Sequence, residues 1–374
     1  MIFDISDATF RNILNDERLF LPIRWNGSDF SSTLNCLFDY YIKQLENLAS
    51  NSPLPYDSIQ VDLKNTKRVC KLLIKAINHY LNGFPAKAYA SFEKAMDLLM
   101  VNPLKVYQKS VLEQFESPTD RYKSDDLNLF RVVTVQDNKP YPRTRVFHTP
   151  YTMRSKVSTS RYSIAGYPSL YLATTLALCC EEIHTNPHQN FALASRYKLE
   201  RDLEYSNTNI RVIELGVKPQ DFLKFEYNSE HHNRQISKDL LNNTNVKSSF
   251  LLWYPLIASC SYIRTDKKDP FAAEYIIPQL LMQWVRNEIC TNRNNNYNEL
   301  VGIRYFSCAS VKASDMGFNY VFPTSGNLKS ADLPYCSVLA KVFRLTPPVY
   351  IHEYDTLCAC ERQLIKSTDF DFIN

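Results

Sequence analysis

Seven glycines in 374 residues, at positions 27, 83, 166, 216, 302, 317 and 326, are the tightest constraint on this chain. Neither G-x-G-x-x-G nor G-x-x-x-x-G-K-[ST] can be written from them. Both motifs need glycine where backbone must approach a pyrophosphate closely. A Rossmann or P-loop grip is excluded, and any nucleotide bound here must be held by side chains.

The chain is long enough for a large core and needs no disulfide or metal staple. At roughly 100–200 residues per domain it allows two domains. Its net charge is +4, with no long Lys/Arg stripe, so no direct nucleic-acid binding is expected. The longest uncharged apolar run, Phe250 to Ile263, falls short of the roughly twenty residues a membrane span needs, and it predicts a buried core segment. The first residues, Met1 to Asp7, are acidic and contain no long apolar stretch, so a cytoplasmic protein without a secretory signal is expected. Ten scattered cysteines include no C-x-x-C pair and predict reduced core thiols. Cys358-Ala-Cys360 lacks neighbours to complete a four-ligand set, so no metal is expected.

Residues 1–120 read as a helical domain. Leu37, Tyr41, Leu45 and Leu48 recur at helical spacing, and an amphipathic stretch covers Val61 to Tyr80. The break at Asn82-Gly83-Phe84-Pro85 and the helix-like Ala86 to Leu99 predict a helical hairpin. Ser117-Pro118-Thr119-Asp120 marks the boundary to a second domain, 121–374. There the pattern predicts strands at 127–135, 143–147, 169–173, 209–215, 301–306 and 337–345, and helices at 175–183, 249–262 and 271–286. Strands and helices without regular βαβ alternation predict an α+β fold with a mixed sheet. Asn228 to Gln235, with His231 and His232, and the Asn-rich Thr291 to Asn298 read as loops.

The densest chemical signal lies between 146 and 182. Arg161 precedes a turn, Tyr171 follows on the strand SLYLA, and Glu182 ends the next helix. Downstream stand Tyr275-Ile276-Ile277-Pro278-Gln279 and Gly302-Ile303-Arg304-Tyr305-Phe306-Ser307. Taken singly, each has an ordinary reading: a core tyrosine, an ion-paired arginine, an exposed carboxylate. Glu181 is an alternative to Glu182, since one residue along a helix turns the side chain by about 100°. Arg143-x4-His148 fits the R-x4-H spacing of helical ribonucleases, but it lies in a proline-flanked, strand-like stretch.

Together these elements resemble the RES domain family, named for its arginine, glutamate and serine. Arg161-Tyr162-Ser163, Gly166-Tyr167-Pro168-Ser169-Leu170-Tyr171, Glu182, the IPQ element and Ser307 follow the family's order and spacing, and Arg131 in LFRVV matches its upstream strand arginine. The resemblance covers roughly residues 125–310. The N-terminal part is similar to helical extensions found before some RES domains. The segment 183–270 and the N-terminal domain distinguish this chain from compact members. The resemblance implies a fold similar to ADP-ribosyltransferases, and NAD as a substrate rather than a cofactor. It implies toxicity through NAD hydrolysis or phosphorolysis, and an antitoxin or regulatory partner. A homo-oligomer is also expected. Transfer of ADP-ribose to a macromolecule, and a non-catalytic nucleotide-sensing module, are the alternatives.

The chemistry suits the residues. Nicotinamide leaves NAD as a neutral base without protonation, and the ribosyl group passes through an oxocarbenium-like state. A carboxylate, Glu182, would favour that charge. Arginine forks, Arg161 first and Arg131 second, suit the pyrophosphate. Tyr171 offers a face for the nicotinamide, and Ser307 a small donor and acceptor.

Overall fold

The computed structural model describes residues 1–48, 58–104, 128–186, 191–199, 209–223, 241–264, 266, 269–292, 299–324 and 334–373. The described helices are α1 (Asp7–Leu14), α2 (Phe30–Leu48), α3 (Leu63–Leu81), α4 (Pro85–Met100), α5 (Leu176–Glu182), α6 (Thr244–Ser259), α7 (Ile276–Asn292), α8 (Ser337–Val342) and α9 (Leu357–Lys366). The strands are β1 (Ile2–Ile5), β2 (Ile23–Arg24), β3 (Ile59–Asp62), β4 (Leu129–Thr134), β5 (Ser169–Ala173), β6 (Ala192–Leu199), β7 (Asn209–Leu215), β8 (Tyr262–Ile263), β9 (Glu299–Phe306), β10 (Phe318–Pro323), β11 (Phe343–Leu345) and β12 (Val349–Tyr350). They fall into two compact units. One holds the described residues within 1–107, 217–229 and 236–284, and the other holds the rest. The expected boundary at 117–120 and the loop with His231 and His232 lie outside the described residues.

The first unit is mainly helical. The amphipathic stretch at 61–80 divides at Asp62. Residues 59–62 pair with β1, and the Asp62 side chain then accepts the Asn65 amide at 3.0 Å and starts α3. This is an N-cap, which satisfies one of the orphan donors of the first turn. Val69, Leu73, Ala76 and Ile77 form the buried stripe of α3. Gly83, at φ +80°, turns the chain, and Pro85 opens α4, where its missing N–H costs nothing. The apolar run 250–263 becomes the buried helix α6, followed by β8. Its polar atoms are satisfied inside the unit: Trp253 Nε1 donates to the Asn102 carbonyl at 2.9 Å and Tyr254 Oη to the Leu19 carbonyl at 3.1 Å. Burial without such partners would be unfavourable. No described helix is long and apolar enough to cross a membrane.

The second unit is built on a mixed sheet in the order β11-β6-β4-β5-β10-β9-β7, with β12 also paired to β6. All its neighbours are antiparallel except β7 and β9, which run parallel. Helices interspersed among largely antiparallel strands make the α+β arrangement that the pattern predicts. Leu176, Leu178, Cys179 and Cys180 of α5 and Cys360 and Leu364 of α9 pack on Phe130, Val132, Ala173, Ala192 and Ala194 of the sheet. Cys358 is exposed while Cys360 is buried, so the two thiols of that pair point to different surroundings.

Two of the expected strands are corrected. Residues 143–146 form a 3-10 turn, because Pro140 and Pro142 cannot donate to a ladder. Residues 337–342 are helix α8, and only 343–345 pair as β11. Both segments are short apolar runs whose period cannot separate helix from strand.

Candidate active site

The site is organised by β5, β10 and β9. Tyr171 lies opposite Val321 and Ala173 opposite Asn319. Asn319 and Val321 in turn face Tyr305 and Ile303. Strand alternation therefore puts Tyr171, Asn319 and Tyr305 on one face of the sheet. Thr174 and Phe318 lock the end of β5 to β10 by exchanging two hydrogen bonds of 3.0 Å. The chain then enters α5, where the Thr175 hydroxyl accepts the Leu178 amide at 3.2 Å as N-cap.

Glu182 is the last residue of α5, and its Oε1 accepts a hydrogen bond from the Asn319 side-chain amide. The helix closes there through the Ile183 amide, which donates to the Cys179 carbonyl, and His184 follows at φ +50°. The C-terminal end of a helix is electronegative, so a carboxylate there gains nothing from the helix itself. A donor from the sheet is what holds it.

Tyr171 is fixed at both ends. Its hydroxyl sits 2.8 Å from Ser160 Oγ and 2.7 Å from Ser163 Oγ, and its carbonyl accepts Arg131 Nη1 at 2.9 Å. Ser160 and Ser163 bridge to each other, bracketing Arg161 and Tyr162 in a tight turn. The Tyr162 ring is buried 4.6 Å from the ring of Tyr305. Burial pushes the Tyr305 hydroxyl well above its ordinary pKa, with Glu182 and Tyr171 adding to the shift and Arg161 opposing it. Arg161, Tyr171 and Glu182 thus gather within electrostatic range of one buried hydroxyl.

Arg131 reaches this group through the Tyr171 backbone carbonyl. It leaves β4 where that strand parts from β5 after the single pair Phe130–Ala173. Burial lowers its pKa, and Arg145 lowers it further; no described carboxylate is among the groups that act on it. Its Nε is buried without a hydrogen-bond partner. Its Nη1 already meets the Tyr171 carbonyl, so Nε is the atom left for a further oxygen to satisfy.

Ser307 follows two residues after Tyr305. It is fully buried, and its Oγ accepts the Ala309 amide at 3.1 Å, a bond within its own turn. The IPQ element opens α7 in the first unit, where Ile276 and Ile277 are core residues. The motif glycines have mechanical explanations. Gly166 takes φ +76° in the turn before β5. A Cβ on Gly302 would stand 2.5 Å from the Phe322 ring.

Tyr305, Asn319 and the serine pair escape a reading by sequence. Ser160 and Ser163 flank the motif arginine, and Tyr305 lies inside GIRYFS, so a signal is present for them. Asn319 carries none, because nothing in the sequence pattern sets its strand, FNYVFP, apart. The ribonuclease-like pair is structural. His148 is buried, its Nε2 accepts the Cys336 amide at 2.8 Å, and its Nδ1 lies 2.8 Å from the Thr149 carbonyl. Arg143 is occupied by the Leu345 carbonyl and by Asp369.

Among curated proteins, the chain is 27% identical over 341 residues to the Bacillus subtilis (strain 168) protein named "Putative toxin YopC". The match covers 88% of this chain and 68% of that protein. No family model matches the chain, and no solved structure matches it.

Proposed function

We propose that this chain cleaves the nicotinamide–ribose bond of NAD through a RES-type site and acts as a toxin or defence effector. The observation that carries the reading is a chain of contacts: Tyr171 bonds the two serines that flank Arg161 and Tyr162, the Tyr162 ring lies on Tyr305, and Glu182 bonds Asn319, the cross-strand neighbour of Tyr305. A protein named as a toxin, similar over most of this chain, supports the biological half.

In this reading the C1′–N bond breaks with its electron pair leaving on nicotinamide. A water or phosphate oxygen then bonds to C1′, and in hydrolysis a proton passes to solvent. Glu182 lowers the energy of the developing ribosyl cation. Arg161 and Arg131 receive the pyrophosphate, an oxygen of which would supply the partner that Arg131 Nε lacks. Tyr171, fixed by the two serines, offers its ring to the nicotinamide. Ser307 contributes a hydroxyl at the end of β9. NAD is substrate, not resident cofactor. A toxin of this kind needs restraint, so an antitoxin or other regulatory protein, or self-association, belongs to the proposal.

Purified protein incubated with NAD is expected to release nicotinamide, with Arg161→Ala and Glu182→Ala slower by about 100-fold or more. Phosphate dependence separates phosphorolysis from hydrolysis. NAD left intact by folded wild-type protein would reject the reading. ADP-ribose label appearing in protein or nucleic acid would replace it with a transferase.

A further inference from the structure

We infer that Asn319 is a positioning residue that holds the Glu182 carboxylate in its working orientation; the assignment rests on the NAD-cleavage reading above. Asn319 lies in the middle of the sheet, opposite Ala173 on one side and Tyr305 on the other, and is only 3% exposed. A side chain so placed has little freedom, so its amide points along one direction. That direction is Glu182 Oε1.

Glu182 needs such a partner. It is the final residue of a seven-residue helix, at the electronegative end, shortly before a left-handed His184. Without a donor, its carboxylate would swing over several rotamers. An ionised acceptor bonded to an amide gains more than a neutral pair does. The sheet, the stiffest part of the unit, thereby sets where a helix-end carboxylate points. Catalysis loses rate steeply when a reacting group drifts by about 1 Å.

The ionisable surroundings of Glu182 are mixed. Tyr305 on β9 faces it, and Cys179 and Glu181 share its helix. Among the elements packed on α5, β4 carries Arg131, β5 carries Tyr171, and α9 carries Cys358, Cys360, Glu361, Arg362 and Lys366. Asn319 is the donor that contacts it, so an acidic residue at 319 would put a second carboxylate where the donor stood.

The test compares NAD turnover against pH for wild type, Asn319→Ala and Asn319→Asp. Asn319→Ala is expected to lose about 10- to 100-fold in kcat, with KM within about twofold. Asn319→Asp, nearly isosteric, is expected to move the acidic limb of the pH profile upward by about one unit or more, since two adjoining carboxylates resist joint ionisation. A merely structural role would leave that limb in place. A measurement independent of folding variants uses the wild type. The Asn319 side-chain amide resonance should titrate with pH, and the titration should vanish in Glu182→Gln. A flat amide resonance, or wild-type kinetics in both folded Asn319 variants, would overturn the assignment while leaving NAD cleavage intact. Absence of turnover in the wild type would instead remove the NAD reading itself.

Discussion

Glu361 on α9 accepts the backbone amide of Leu176, the first residue of α5, at 2.8 Å. Two acceptors, this carboxylate and the Thr175 hydroxyl, therefore satisfy the N-terminal turn of the helix that ends in Glu182. Burial raises the Glu361 pKa above its ordinary 4.5, and the Leu176 bond opposes the shift. A carboxyl whose pKa is raised in the folded state binds its proton more tightly there than when unfolded. Its contribution to stability is then greatest below the unfolded pKa and falls as pH rises through the folded one. Glu361→Gln, which keeps an oxygen acceptor without the charge, is expected to gain about 2 °C in Tm relative to wild type at pH 7. The gain should vanish near about pH 3.5, where the carboxyl is protonated in both states. Calorimetry at the two pH values checks this, and equal Tm differences at both would refute it.

His148 runs in the opposite sense. Burial lowers its pKa from 6.5 to about 4. The unfolded chain therefore binds a proton that the folded one refuses between those values. Stability is full above the unfolded value of 6.5 and declines as pH falls towards about 4. The decline amounts to about 3 kcal/mol, because each tenfold difference in proton affinity between the two states is worth about 1.4 kcal/mol. Denaturant midpoints measured from about pH 7.5 down to about pH 4 should fall in the wild type and change much less in His148→Gln. The same variant should keep NAD cleavage, since His148 bonds only to the Cys336 amide and its own chain neighbour.

Gly302 carries a packing demand. Phe322, buried on the neighbouring strand, occupies the space its Cβ would need, at 2.5 Å and 2.6 Å from two ring carbons. Gly302→Ala is expected to cost about 1–3 kcal/mol through overpacking. Phe322→Leu should lessen that cost when combined with it. A double-mutant cycle in urea gives the coupling, and strict additivity would show that the ring is not the obstacle.

Arg304 and Glu214 form a buried ion pair at 2.8 Å, with side chains 4% and 0% exposed. Arg304 Nε also donates to Tyr320 Oη at 3.0 Å. Glu214→Leu or Arg304→Met alone strands a charge in the core and should cost about 3–5 kcal/mol. Replacing both, Arg304→Met with Glu214→Leu, should cost less than the sum. Chemical denaturation of the four proteins decides it.

Several elements are legible because their signals are local. The strands at 169–173 and 209–215 occur with the bounds expected, and α5 within one residue at each end. Thr175, Gly83 and Pro85 mark ends through cap and turn chemistry that acts over a few residues. Segments that share their apolar content between periods, such as 337–345, are not legible. Neither are β6, whose partners lie far away in sequence, and β10, which is held by the distant β5 as well as by the nearby β9.

The order of residues alone determined which backbone grips on a nucleotide are impossible, where the helical hairpin turns, and that an arginine, a tyrosine and a glutamate sit on a turn, on a strand and at a helix end. These follow from glycine content and short-range propensity, which act along the chain. Only the tertiary structure decided that Asn319 meets Glu182, that two serines seize the Tyr171 hydroxyl, and that Tyr305 lies among the charged groups. Those contacts depend on sheet register, which is set by side-chain packing between distant strands rather than by any local pattern.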